Sequence, residues 1–600
     1  MTPSRAARSG LALAVAGALA AAPPATAQGD PAGPLPPALA QAVAALLQPG
    51  TLPGAAVVTV AADGRVQAGY FGHADAARSR PVDAGTCWRV GSLTKTFTAL
   101  LALRTEQRAP GFLDRPLGPA PAGCARDATP RELLEHTSGL AGSRYADYAE
   151  SWPDAPPAEA ARRAAARPRL ACPGLHHAYA NPGYSRVAAA LEAHWRAPLD
   201  AVMAREVFAP LGMRSATLAT GALPACLAQS VDARGRPVPP WRLADRAAGA
   251  LVITATDAAP LARLLRDGQM PAPGGAPWPQ AALRDMAYGR TGLGARAAGV
   301  PAPYGLGLFR FVAAGRLFDG HWGFIDGFQA SFGLHRESGR AFFIVANGAD
   351  TGAMGRLREQ VAAHVVAGLP APAAPAPAGR IEAGWSGWYA NASHNMPLRA
   401  RLWTLLDVRH LQVAPDGLGA TLTGLGAPRP LVAQGAQALR DAGLPVATVA
   451  LARDAQGRRH LVDGESYLRT PLALGALRGA AALFGLLASA AAVLAGIAWL
   501  FRRPAGSPAP WFAAAGGSLL ALCGGFAVAG LLGGPAGAAA LGRPGLASGA
   551  LAVLSLAVPA ATLAGAWRAR ARRRWWPIAA GLAGAVGLQA WLGWLPLVTW

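Results

Sequence analysis

The stretch Val90-Gly91-Ser92-Leu93-Thr94-Lys95 leads into Thr96-Phe97-Thr98-Ala99-Leu100-Leu101-Ala102-Leu103, where Phe97, Leu100 and Leu103 recur at helical spacing. Residues three apart on a helix share a face, so Ser92 and Lys95 are predicted to point into one cleft. Lys95 is the only lysine among 55 basic residues, and all the others are arginines. Arginine stays charged at any working pH, whereas a desolvated lysine can lose its proton and serve as a base. A serine hydroxyl is a weak nucleophile at its free pKa and needs such a base beside it. Burial and a neighbouring positive charge or dipole would both lower the lysine pKa. The first turn of a helix also favours the negative charge that develops as the hydroxyl attacks. The string therefore reads as a nucleophile, Ser92, followed by its base, Lys95.

Two further segments carry matching chemistry. Tyr179-Ala180-Asn181 precedes Pro182-Gly183-Tyr184 and an Ala/Leu-rich helix. A phenol at Tyr179 facing Lys95 can pass a proton to a leaving group, and the Asn181 amide can orient a substrate carbonyl or the lysine. His321-Trp322-Gly323-Phe324 lies on a predicted strand. Gly323 lets a substrate backbone approach closely, and the Phe324 N–H pairs with that of Ser92 as an oxyanion hole. His136 reads as a structural residue tying down the Thr137-Ser138-Gly139 turn, and His176 and His177 as loop residues. The histidines lack ligand spacing and carboxylate partners, so no metal is expected, and no cofactor.

In this order the three motifs resemble the serine β-lactamase and penicillin-binding-protein family. The resemblance is strongest to its class C-like branch of esterases and D-amino-acid peptidases. Glu132-Leu133-Leu134-Glu135-His136-Thr137-Ser138-Gly139-Leu140 and Tyr304-Gly305-Leu306-Gly307 are similar to segments of that branch. The resemblance spans about Leu52 to Val366. It implies that Ser92 is acylated, that Lys95 and Tyr179 share acid/base duty, and that His321 lines the pocket. The implied fold is α+β, an antiparallel sheet flanked by helices plus an all-α region. The residues agree. Ala55–Val60 and Val66–Gly72 flank Asp63-Gly64 as a hairpin. Tyr304–Val312, Gly327–Leu334 and Arg340–Val345 read as later strands, which builds one sheet from the two ends of the domain.

The rest of the chain divides by composition. Residues 1–27 read as a signal peptide: Arg5 and Arg8, an apolar run from Leu11 to Ala22, and the Ala25-Thr26-Ala27 cleavage site. The hydrolase-like domain is expected over 35–368 and a Pro/Ala linker over 369–380. A small barrel-like β domain follows over 381–470, with a hairpin around Asp454-Ala455-Gln456-Gly457. Within 475–600 four apolar stretches, Leu477–Leu500, Trp511–Leu532, Leu546–Trp567 and Ile578–Leu597, each suit a bilayer core about 30 Å thick. Arg502 and Arg503 follow the first, and Arg568, Arg570, Arg572, Arg573 and Arg574 the third. The positive-inside bias then places the catalytic part on the periplasmic side of a bacterial inner membrane, as the signal peptide does independently.

The net charge of +22 does not read as nucleic-acid binding, because no basic patch interleaves with aromatics in a binding module. Of five cysteines, Cys523 falls in an apolar stretch. Cys87, Cys124, Cys172 and Cys226 allow three pairings, of which Cys124–Cys172 is favoured, with free buried thiols as the alternative. Trp322 stands where the lactamase pattern has a threonine for the substrate carboxylate, and its bulk is expected to narrow the pocket. The reading is therefore a membrane-anchored serine hydrolase for an ester, amide or peptide, with the bilayer as its other partner. Such chemistry includes removal of an N-acyl-D-amino-acid group from an exported product. A β-lactam sensor is disfavoured because the cytoplasmic connections are too short for a signalling domain, and an inactive scaffold because all three motifs are intact.

Overall fold

The computed structural model describes residues 32–597 except 48–49, 76, 78, 143–156, 219–222, 233, 240–242, 269–276, 301–303, 326, 372–374, 396–401, 403, 425 and 533–544. The expected signal peptide, 1–27, lies outside the described residues.

Among the described residues, nine strands precede residue 350: β1 (Gly33–Pro34), β2 (Gly54–Val60), β3 (Val66–Gly72), β4 (Cys87–Arg89), β5 (Val252–Thr254), β6 (Phe309–Ala313), β7 (Arg316–Ile325), β8 (Phe328–His335) and β9 (Arg340–Ala346). Seven make one sheet in the order β1-β3-β2-β9-β8-β7-β6, while β4 and β5 form a separate ribbon. The early strand β2 pairs antiparallel with the late strand β9, from Ala55 opposite Ala346 to Val60 opposite Ala341. All of β2 (GAAVVTV) is buried, as a short unbroken apolar run predicts. Its alternate residues serve two cores. Ala55 and Val57 join Leu39, Val43, Leu357 and Val361 of the helices Pro37–Leu46 and Thr351–Val365. Ala56, Val58 and Val60 join Phe97 and Leu100 of the helix Thr94–Arg108. The domain is thus α+β, with helices on both faces of a sheet that is antiparallel except for the edge strand β1, which runs parallel to β3.

The strand expected from Tyr304 begins only at Phe309. The Gly305 N–H donates to the Leu308 carbonyl at 2.8 Å, and this turn takes Tyr304 off the sheet and beneath His321.

A second domain is a closed eight-stranded barrel of β10 (Gly387–Asn391), β11 (Val408–Val413), β12 (Gly419–Thr423), β13 (Arg429–Ala433), β14 (Ala438–Asp441), β15 (Val449–Arg453), β16 (Arg459–Asp463) and β17 (Glu465–Arg469). Tyr389, Leu411, Leu422, Leu431, Leu451 and Leu461 fill its interior, as side chains do in barrels of this strand number.

The C-terminal region holds the helices Leu472–Arg502, Ala509–Leu532, Leu546–Ala569 and Trp576–Leu592. The first and third are long and apolar enough to cross a membrane. Small residues bring the first helix close to its neighbours: Gly485 abuts Ala585 of the fourth, Gly496 abuts Ala513 of the second, and Gly516 of the second abuts the Ser489 backbone.

Two disulfides join Cys124 to Cys172 and Cys87 to Cys226. The first is the pair favoured from sequence, and the second was not singled out there. They suggest an oxidising, extracytoplasmic compartment. Cys124 and Cys172 are 48 residues apart. Replacing both with serine is expected to lower unfolding stability by about 4 kcal/mol by the loop-closure relation, read as an earlier denaturant midpoint for the catalytic domain.

Candidate active site

Gly91–Leu93 forms a single 3-10 turn that feeds directly into the Thr94–Arg108 helix. Lys95 is 0% exposed. Its Nζ lies 3.1 Å from Ser92 Oγ and 2.8 Å from the Ala248 carbonyl oxygen. Burial holds the amine pKa well below that of a free lysine, while the Asp245 carboxylate pulls the other way. In its neutral form, the amine can donate to Ala248 and turn its lone pair to the Ser92 hydroxyl. The Ala248 segment is pinned to the same helix. Thr98 Oγ donates to the Ala247 carbonyl at 2.7 Å, and Thr94 Oγ accepts from the Leu251 N–H at 3.1 Å. The β4–β5 ribbon completes this tie, with the Val90 N–H donating to the Leu251 carbonyl at 3.1 Å. Sequence reasoning missed Ala248 and Asp245. A backbone acceptor has no residue-type signature, and Asp245 lies in no motif.

Tyr179 is brought beside the pair, with Lys95 Nζ 4.9 Å from its ring centroid. His136 fixes its backbone from both sides. The Ala178 N–H donates to the His136 carbonyl at 2.7 Å, and the Ala180 N–H donates to His136 Nδ1 at 3.0 Å. The His136 ring also lies 4.1 Å from that of Tyr179 and 4.5 Å from that of Tyr304. Its role therefore reaches beyond its own turn. Burial, then the nearby Lys95, drives its pKa well down, so it stays a neutral acceptor. Asn181 opens the helix Asn181–Trp195 two residues beyond Tyr179.

The third element is β7. Its neighbour β6 pairs with it only from Arg316 to Gly320, so from His321 onward its outer edge meets the Ser92 turn. A Cβ on Gly323 would collide with the Val90 carbonyl and come 2.8 Å from the Ser92 nitrogen. No side chain fits there. The Phe324 nitrogen lies 2.9 Å from the point a Cβ on Gly91 would occupy, so this edge of β7 runs directly against the Ser92 turn. His321 is buried. Its Nδ1–H donates to the Trp322 carbonyl at 2.5 Å, leaving Nε2 to accept from Tyr304 Oη at 2.7 Å. Burial and then Lys95 lower its pKa to about 3, so this imidazole is neutral and fully engaged.

Trp322 corrects the sequence reading. Alternation along a strand places it on the face opposite Gly323. Its indole leans on Phe309 at 4.4 Å and Phe311 at 5.4 Å, with the Arg358 guanidinium 4.9 Å from its ring. It does not narrow the space over Ser92.

The β-lactamase family model matches residues 39–367, more than half of the chain. The chain belongs to the β-lactamase family. It is a serine hydrolase of that family. A D-aminopeptidase from Cereibacter sphaeroides is 28% identical over 464 residues, covering 69% of this chain and 80% of the relative. Among solved structures, SurE with D-Leu is 23% identical, with a TM-score of 0.47 over 72% of this chain and 99% of that one. The D-amino acid amidase from Ochrobactrum anthropi SV3 complexed with L-phenylalanine amide is 21% identical, with a TM-score of 0.44 over 54% of this chain and 96% of that one.

In this β-lactamase-family hydrolase, the Gly323 contact gives a direct test of the oxyanion geometry. Gly323→Ala is expected to push β7 off the Ser92 turn and slow fluorophosphonate labelling of Ser92 by about 100-fold or more, the worth of one oxyanion donor. Near-UV circular dichroism would verify that the variant is folded.

Proposed function

We propose that this protein is a membrane-anchored, extracytoplasmic hydrolase that cleaves D-amino-acid amides or peptides through an acyl-enzyme on Ser92. The observation that carries the reading is the buried Lys95 amine 3.1 Å from Ser92 Oγ. The neutral amine takes the hydroxyl proton as Oγ bonds to the substrate carbonyl carbon. The Ser92 and Phe324 N–H groups stabilise the resulting oxyanion. As the carbon–nitrogen bond breaks, Tyr179 relays the proton from Lys95 to the departing amine, with the Asn181 amide orienting the substrate. Water then attacks the ester, giving its proton to the same base, and Ser92 leaves with a proton restored.

The substrate class is supported by the relatives named D-aminopeptidase, whose similarity extends over 464 residues. Support for the membrane comes from the packing of the C-terminal helices. Gly485, Ala488, Ser489, Ala492 and Gly496 are buried in the first of them, while Leu477 and Leu494 are 67% and 66% exposed. Small residues inside and large apolar ones outside suit association in lipid. The arginines after the first and third helices support a hydrolase outside the cytoplasm under the positive-inside bias, in keeping with a four-span bundle in which the two other helices also cross.

Lys95→Arg keeps the charge and removes the base, so Ser92 labelling is expected to fall by about 1,000-fold or more. The pH dependence has a defined sign. The active form is the neutral amine, and its pKa is depressed from 10.5. Activity should persist at neutral pH and fall on acidification through that lowered value. A limb centred at 10.5 or above would exclude Lys95 as the base. In a panel of D- and L-amino-acid p-nitroanilides, p-nitrophenyl esters and nitrocefin, the D-anilides are expected to be turned over about 100-fold faster than their L-enantiomers, a ratio that differential transition-state binding can supply. Efficient nitrocefin turnover would overturn the substrate assignment.

A further inference from the structure

The connection between β10 and β11 touches two distant parts of the molecule. At its start, Asn395 Nδ2 donates to the Tyr179 carbonyl at 2.6 Å. The Asn395 carbonyl in turn accepts from the Gly142 N–H at 2.7 Å. The fit is close: a Cβ on Gly142 would lie 3.0 Å from the Tyr179 carbonyl oxygen and 3.1 Å from that of Asn395. Further along, Leu402 packs on the C-terminal helices against the cluster of Leu522, Leu551, Leu592 and Trp594. The far end is anchored in the barrel. Thr404 Oγ donates to the Asn391 carbonyl, and Asp407 accepts from Asn391 Nδ2 and Tyr467 Oη, all at 2.9 Å.

Two of the hydrogen bonds around the Tyr179 backbone come from His136, inside the catalytic domain, and another comes from Asn395, beyond the barrel strand β10. We propose that Asn395 is a positioning residue for Tyr179. The inference rests on the acid/base role assigned to Tyr179 above. Asn395 grips the main chain of residue 179, so it sets where the phenol stands over Lys95 without touching substrate.

The test uses the full chain in detergent micelles and a D-amino-acid p-nitroanilide, whose departing amine must be protonated, and separates KM from kcat. Asn395→Ala is expected to lower kcat about tenfold with KM within about twofold, the pattern of a lost transition-state interaction. Asn395→Asp, of equal size but without the donor, should do the same and carries the test if the alanine variant does not fold. In a Tyr179→Phe background, Asn395→Ala should change kcat less than about twofold, because residues acting through one another are not additive. Wild-type kcat in Asn395→Ala with slow Tyr179→Phe would overturn this inference alone. An undiminished tenfold loss in the Tyr179→Phe background would overturn it too. Wild-type kcat in Tyr179→Phe would instead remove the role of Tyr179 on which it rests.

Discussion

The site depends on keeping one amine dry. Lys95 is enclosed by the Tyr179 and Tyr184 rings, with Nζ 4.9 and 5.3 Å from their centroids. Two imidazoles close by, His136 and His321, have pKa values lowered by burial and add no charge. A protonated ammonium in this enclosure would lack solvation, so folding itself favours the free base. That preference has a thermodynamic cost. The unfolded chain binds the Lys95 proton more readily than the folded one, so this group's contribution to stability improves as pH rises towards 10.5. The Asp245 carboxylate, which draws the pKa back up, offsets part of that cost.

The features legible in the sequence were local ones. Ser92 and Lys95 share a helix face through their spacing alone, and the hairpins around Asp63-Gly64 and Asp454–Gly457 follow from turn chemistry. The barrel was legible as alternating short strands, though its closure, with β10 paired to β17, is a long-range fact. What escaped were contacts in which a distant backbone supplies the chemistry: the Ala248 carbonyl on Lys95, the two His136 bonds framing Tyr179, and Asn395 arriving from another domain. His136 was legible as structural, but its partner was not, because Ala180 adjoins it only once the sheet and helices have closed. Trp322 is the instructive miss. Strand alternation alone places it across the sheet from Gly323, yet a family pattern read along the chain treats neighbouring positions as if they shared a pocket.

The C-terminal helices and the catalytic domain use opposite packing rules. Around β2, large apolar residues lie inside and the sheet is covered on both faces. In the first of the C-terminal helices, glycine, alanine and serine are buried while Leu477 and Leu494 face outward. The first rule draws on the hydrophobic effect in water. The second brings backbones close, and dispersion contacts hold them. The barrel stands between the two, its strand β17 ending at Arg469 and the first long helix beginning at Leu472.

The pairing of β2 with β9 has a consequence for the order in which the protein is made. Ser92 and Lys95 emerge early, attached to a strand whose partner is still unsynthesised. Ala248, which holds the amine, follows much later, and the Gly323–Phe324 edge later still. The enclosure of Lys95 by Tyr179, Tyr184 and Ala248 therefore belongs to the completed domain and not to the segment that carries the lysine.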